Sequence, residues 1–238
     1  ADGSPKLKKN LPQDTYTQSD VFNLARVFTG WKVQKPVAGE DDLAQWAKPM
    51  VADPDLHSPE EKAFLGKVIP AGTGPTVSLK RALDTIFEHD NVGPFIGKQL
   101  IQRLVTSNPS APYVGRVTAA FNDNGAGVRG DLQAVIRAVL LDPEARSGAL
   151  GSGELSEIRG KVREPMIRLI AVARAMEVGD PGGIIFPVAN LSGASTGVGQ
   201  SPLKSPSVFN FFRPGYAAPQ SVLGSLGYVA PEYQLLNG

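Results

Sequence analysis

The 238-residue chain sets 24 Lys and Arg against 23 Asp and Glu, a formal charge of +1, which excludes the clustered excess of cations that grips nucleic acid or anionic lipid. The absence of cysteine removes disulfides, thiolate metal sites and thiol nucleophiles together, and is compatible with export. With 42% hydrophobic residues the chain is of folded rather than disordered type, while 26 Gly and 20 Pro call for long irregular connections.

Residues 1–16 hold little to bury and read as an extended lead-in; 17–238 reads as a single helical domain. Thr17 or Ser19 caps a first helix running to Phe28, with Gly30 ending it and Trp31 directly after. From Glu40 to Glu61 seven acidic residues face Lys48 alone, around a possible short helix (DDLAQWAKPM) and the turn-rich DPDLHSPEE. Ser78 opens a second helix ending near His89. A third, Val92 to Val105, carries Val92, Phe95, Ile96, Leu100, Ile101, Leu104 and Val105 around so wide an arc that it is expected at the centre of the core. Arg103 falls within that arc and needs a partner, for which Glu164 is the preferred residue.

Ala111 to Phe121 forms the next helix. Asp131 caps another with the stripe Leu132, Val135, Ile136, Val139 and Leu140, which Asp142-Pro143 stops. A Gly-rich loop, SGALGSGELSEIRG, leads to a last long helix from Glu164 to Val178, with Met166, Leu169, Ile170, Ala173 and Met176 facing inward. Beyond it come an apolar run, GIIFPVANL, and a short helix started by Ser205-Pro206. No strand and helix alternation is visible, so the fold class is all-α, an irregular multi-helix bundle with long Gly/Pro-rich loops. No apolar run reaches the length of a membrane span.

Motifs that resemble chemistry are weak. Gly125, Gly127 and Gly130 match GxGxxG, but a helix stands where a dinucleotide site needs a strand. As a calcium loop, FNDNGAG fails at Ala126 and at Gln133, where a bidentate Glu is required. Ser195 sits in GxSxG, yet both histidines lie upstream and Pro202 follows closely, so a loop hydroxyl is the better reading. His57 could join Asp53 and Asp55, with Glu60 and Glu61, around a hard or borderline cation; the alternative is a solvated acidic loop. His89 ends a helix, where a cationic ring suits the dipole. Trp31 and Trp46 are core anchors or site walls, with core packing favoured.

Five segments taken together, SDVFNLARVFTGW (19–31), HSPEEKAFLGKVIPAGTG (57–74), residues 82–146, GKVREPMIRL (160–169) and SPSVFNFFRPGY (205–216), resemble the family called domain of unknown function 1800. Two departures stand out: His57-Ser58 where the family often has His-Asp, and His89-Asp90-Asn91 where it often has His-Pro-Asn. The resemblance implies an exported bacterial protein, periplasmic or extracellular, of which this chain is the C-terminal half. Its implied partners are the missing N-terminal half and a second exported protein. It brings no activity and no cofactor with it.

Three functions are therefore carried forward: an exported binding or assembly component working with another exported protein, a metal-assisted hydrolase or polymer-modifying enzyme, and a surface-layer or filament subunit. No catalytic set emerges from spacing. The candidate binding residues are Arg26, Trp31, His89, Arg103, Arg163, Glu164, Asn210 and Arg213, with His57, Asp53 and Asp55 as candidate metal ligands.

Overall fold

The computed structural model describes residues 6–9, 11–35, 38, 42–146, 160–178, 193, 197–201 and 203–235. The chain is predominantly α-helical, and its small β content is confined to two-stranded antiparallel ladders. Where the sequence suggested one domain from residue 17, the fold divides into two compact units, Ser4–Val92 and Gly93–Gly238.

In the N-terminal unit the lead-in is not simply extended: β1 (Leu7–Lys8) and β2 (Leu11–Pro12) pair antiparallel. Helix α1 (Gln18–Val27) starts at a capping box in which Thr17 Oγ1 accepts from the Asp20 amide and the Asp20 carboxylate accepts from Thr17 N at 2.6 Å. The other oxygen of Asp20 accepts from Leu65 N at 2.8 Å, tying α1 to a hairpin of β5 (Lys62–Phe64) and β6 (Lys67–Ile69). Leu65 and Gly66 form its two-residue turn, both with positive φ (48° and 74°), as a hairpin twisted to match its strands demands. A shorter ladder joins β3 (Trp31–Lys32) to β4 (Val51–Ala52). Helix α2 (Pro75–Glu88) begins three residues ahead of Ser78, because Pro75 at its first position loses no helical hydrogen bond. Val27, Phe64, Ile69 and Ala82 form the buried core of this unit, with Leu24, Leu65 and Leu79 packed against them.

The C-terminal unit holds α3 (Val92–Leu104), α4 (Ala111–Asn122), α5 (Leu132–Leu141), α6 (Pro143–Arg146), α7 (Pro165–Ala175) and α8 (Val222–Ser225). Its innermost helix is α4 rather than α3: Tyr113, Val114, Val117, Thr118 and Phe121 are all buried. The reason lies in two glycines. A Cβ on Gly97 would sit 3.0 Å from Val117 Cγ1, and one on Gly93 would sit 3.1 Å from Thr118 Cγ2, so α3 meets α4 through backbone. Phe95 and Leu104 are consequently left exposed, at 56% and 41%. In α5 only Val135 and Val139 are buried, while Leu132, Ile136 and Leu140 are exposed. Asp142 does end α5, and Pro143 then opens α6.

Asp142 is buried beneath Arg116, which donates to it from Nε (2.7 Å) and an Nη (2.8 Å). Tyr113 Oη donates to Val139 O at 2.6 Å. The helix expected from Ser205-Pro206 is instead a turn closed by a bridge between Ser207 and Asn210, the latter at φ 68°. The Gly-rich loop of 147–159, the apolar run of 183–191, Ser195, Glu40 and Asp41 lie outside the described residues.

Candidate functional site

The segments that look chemical in the N-terminal unit converge on His57, which is 7% exposed. Gly30 makes this possible: its φ is 79°, and a Cβ there would fall 2.5 Å from the Asp53 carbonyl. His57 Nδ1 is 2.9 Å from the Thr29 carbonyl, an acceptor only, so that nitrogen carries the hydrogen. His57 Nε2 is 3.1 Å from the hydroxyl of Ser78, which also lies 3.2 Å from the Thr73 carbonyl. Thr29 Oγ1 in turn accepts from Ser58 N at 2.8 Å. Both ring nitrogens are thus spent on fastening the FTGW turn and α2 to the HSPEE turn.

The candidate metal ligands are not drawn into a cluster with His57. Asp53 caps the turn Pro54–Leu56 by accepting from Asp55 N at 3.0 Å and pairs with Lys32, whose ammonium holds the Asp53 carboxyl below its ordinary range. Asp55 is exposed. Among the described residues no three His, Cys, Asp or Glu side chains are placed to hold a metal ion. Arg26 pairs with Glu60 at 2.8 Å on the surface. His89 caps α2, and its Nδ1 accepts from Asn91 N at 3.1 Å. Trp31 is half-buried with its indole N–H unpaired, whereas Trp46 is 70% exposed and anchors no core.

Among the described residues Lys62 is buried without a carboxylate partner, donating to the carbonyls of Ser58 (2.8 Å) and Glu60 (2.9 Å). Burial lowers its pKa. This residue is placed by the β5 pattern and had no signal in the sequence beyond a strand-like KAF.

In the C-terminal unit the buried ion pair is not Arg103 with Glu164. It is Lys161 with Glu232, 2.6 Å apart and 5% and 2% exposed. Lys161 Nζ also donates to the carbonyls of Gln102 (3.1 Å) and Arg103 (3.0 Å), so the ammonium closes the negative end of α3. The second carboxylate oxygen of Glu232 is buried and unpaired. Arg103 stacks its guanidinium over Phe212, 4.7 Å from the ring centre. Glu164 accepts from Gln200 Nε2 at 2.8 Å. Arg163, Asn210 and Arg213 are exposed, and the Arg213 amide donates to Gln234 at 2.9 Å.

Beside this anchored helix end lies a cleft of about 530 Å³, bounded by one face of α3, the Ser107–Ser110 turn, Glu144, the Pro214-Gly215 turn and Gly227–Val229. Its walls are fixed by hydrogen bonds. Asn108 donates to Val229 O and accepts from Val229 N, both at 2.9 Å. Gln102 Nε2 donates to Ser107 O at 3.0 Å, and Ser107 N donates to Gly160 O at 3.1 Å. Ser110 donates to Glu144 from its amide, at 3.0 Å, and from its hydroxyl. Of the lining residues only Phe95 stands out in the sequence, and there as core, since Asn and Ser in a Pro-containing turn have no pattern that separates site from cap.

The model of the family described as "Protein of unknown function (DUF1800)" matches residues 9–235, nearly the whole chain and not a C-terminal portion of it, and the chain belongs to that family. No curated protein and no solved structure matches it.

Proposed function

We propose that this member of the family is an exported binding or assembly component that works with a second exported protein. The observation carrying the proposal is α7. None of its residues is buried, yet Ile167, Leu169, Ile170 and Val172 are each between 41% and 56% exposed, and Met176 and Val178 just beyond it are 71% and 62% exposed. An apolar helix of 11 residues has too little intrinsic stability to stand alone in water, and helices hydrophobic on every side are covered in their working state. A protein surface is the cover this proposal assigns to it. A preceding segment of a longer chain belongs to the same proposal as a second source of cover.

The experiment is affinity recovery of the tagged full-length protein from its native envelope, followed by cross-linking. A stoichiometric exported partner cross-linked to 165–178, and lost in Ile170→Asp, is the expected result. Recovery of the protein alone, with α7 still open to labelling, would overturn the proposal.

A further inference from the structure

The cleft at the end of α3 has a division of labour among its polar groups. Gln102, Asn108, Ser110 and Glu144 are engaged in holding the walls. Lys98, Gln99, Ser107 and Tyr228 also line it, and their side chains have no partner among the described residues. Ser107 is only 5% exposed as a residue, and its hydroxyl has its hydrogen-bonding capacity unspent. Phe95, Lys98, Gln99 and Gln102 stand at i, i+3, i+4 and i+7, which makes them one face of α3.

What this set recognises follows from its chemistry. A lysine ammonium, a serine hydroxyl, a phenol and a primary amide all donate, and a carboxylate accepts from such donors through two oxygens. The exposed face of Phe95 suits an apolar or aromatic group attached to that carboxylate. Glu144, whose two oxygens are held by the Ser110 amide and hydroxyl, keeps a negative charge beside the cleft, which disfavours a multiply charged inorganic anion and leaves an organic acid with a single carboxylate. Resting on the binding role argued above, we propose that this cleft seats the carboxylate end of an apolar organic acid, as found where an apolar residue ends a partner's chain. The carboxylate lies on Lys98, Ser107 and Tyr228, and the side chain packs on Phe95. Backbone and side-chain donors that capture a chain terminus are a recurring mode of peptide recognition.

The test is a titration of the isotope-labelled full chain, followed by NMR, with N-acetylphenylalanine and with its carboxamide. A tetrapeptide of three alanines ending in phenylalanine, with free or amidated terminus, is run alongside. The free acids are expected to shift amides of 98–108 and 227–229, and to bind about tenfold more tightly than the amidated forms, as loss of a charge-assisted contact requires. Lys98→Met and Tyr228→Phe, two exposed or half-exposed positions, should each weaken the acid more than the carboxamide. Tighter binding of the tetrapeptide than of the single residue assigns the ligand to a chain terminus, and the reverse to a small organic acid; either supports the cleft's chemistry. Equal binding of acid and amide, shifts elsewhere, or none up to about 10 mM overturns it. Partner recovery is read separately: loss of the partner in Ile170→Asp with probe binding intact, or the converse, tells failure of one proposal from failure of the other.

Discussion

In the N-terminal unit, polar side chains that look reactive turn inward and satisfy one another; in the C-terminal unit, the same kind of fastening is carried by other residues and leaves donors unspent beside a cleft. His57 gives its ring to Thr29 and Ser78, and Asp53 gives its carboxylate to Lys32 and a turn. Lys161 and Glu232 lock the end of α3, and the adjoining wall keeps Lys98, Ser107 and Tyr228 free to bind. The lesson is one of supply. A polar group becomes available for function only where another group has already met the backbone's demands, so the residues that hold the fold are poor candidates for the site.

The largest expected effect breaks the C-terminal side of this contrast. Lys161→Ala leaves the Glu232 carboxylate buried with neither oxygen paired and opens the last carbonyls of α3. Urea unfolding should show a loss of about 3–5 kcal/mol. The double change Lys161→Met with Glu232→Leu should recover most of it, because no buried charge is then stranded. A loss under 1 kcal/mol in the single variant, on the order of an exposed pair, would mean the pair is not desolvated.

Next in size is Gly30→Ala in the N-terminal unit. The new Cβ meets the Asp53 carbonyl at 2.5 Å and His57 N at 2.9 Å, both backbone atoms, at a φ of 79°. A loss of about 3 kcal/mol is expected from strain and overpacking together, read from the thermal midpoint. His57→Ala should cost less, about 2 kcal/mol, since Ser78 keeps the Thr73 carbonyl as an alternative partner. Metal content of the purified protein sharpens that experiment. His57 as a structural fastener predicts the same content in both proteins, and a stoichiometric metal lost with the ring would restore the hydrolase alternative.

How much of this was legible depends on where burial is decided. The α1 cap at Thr17, the α5 cap at Asp131 and the stop at Asp142 were readable, because capping chemistry is local. The rank of the helices was not. Counting apolar residues placed α3 at the centre, whereas Gly93 and Gly97 carry the contact with α4 and have no side chain to count. Partner choice failed for a similar reason: Lys161 and Glu232 are 71 positions apart by their numbers, and nothing local distinguishes them from Arg103 and Glu164. The cleft was missed because Ser107, Asn108 and Ser110 read as ordinary turn residues until their hydrogen bonds are assigned one by one.

The smallest effect compares the two units through acid. Burial would raise the Asp142 carboxyl, but the bidentate Arg116 and the Glu144 amide outweigh it, and the folded pKa lies below the ordinary value. Asp53 is lowered by Lys32 in the same direction. A carboxyl whose folded pKa is depressed adds stability that is fully present above its unfolded value, near 3.9, and is lost as pH falls through the folded one. Thermal midpoints should therefore fall from about pH 5 to about pH 3. Asp142→Asn should flatten that slope more than Asp53→Asn. The Asp142 side chain is 3% exposed under a two-bond clamp, whereas that of Asp53 is 26% exposed and its pairing is the more screened by water and salt. Equal flattening by the two variants would show that the clamp on Asp142 is as open to solvent as the pair on the opposite unit.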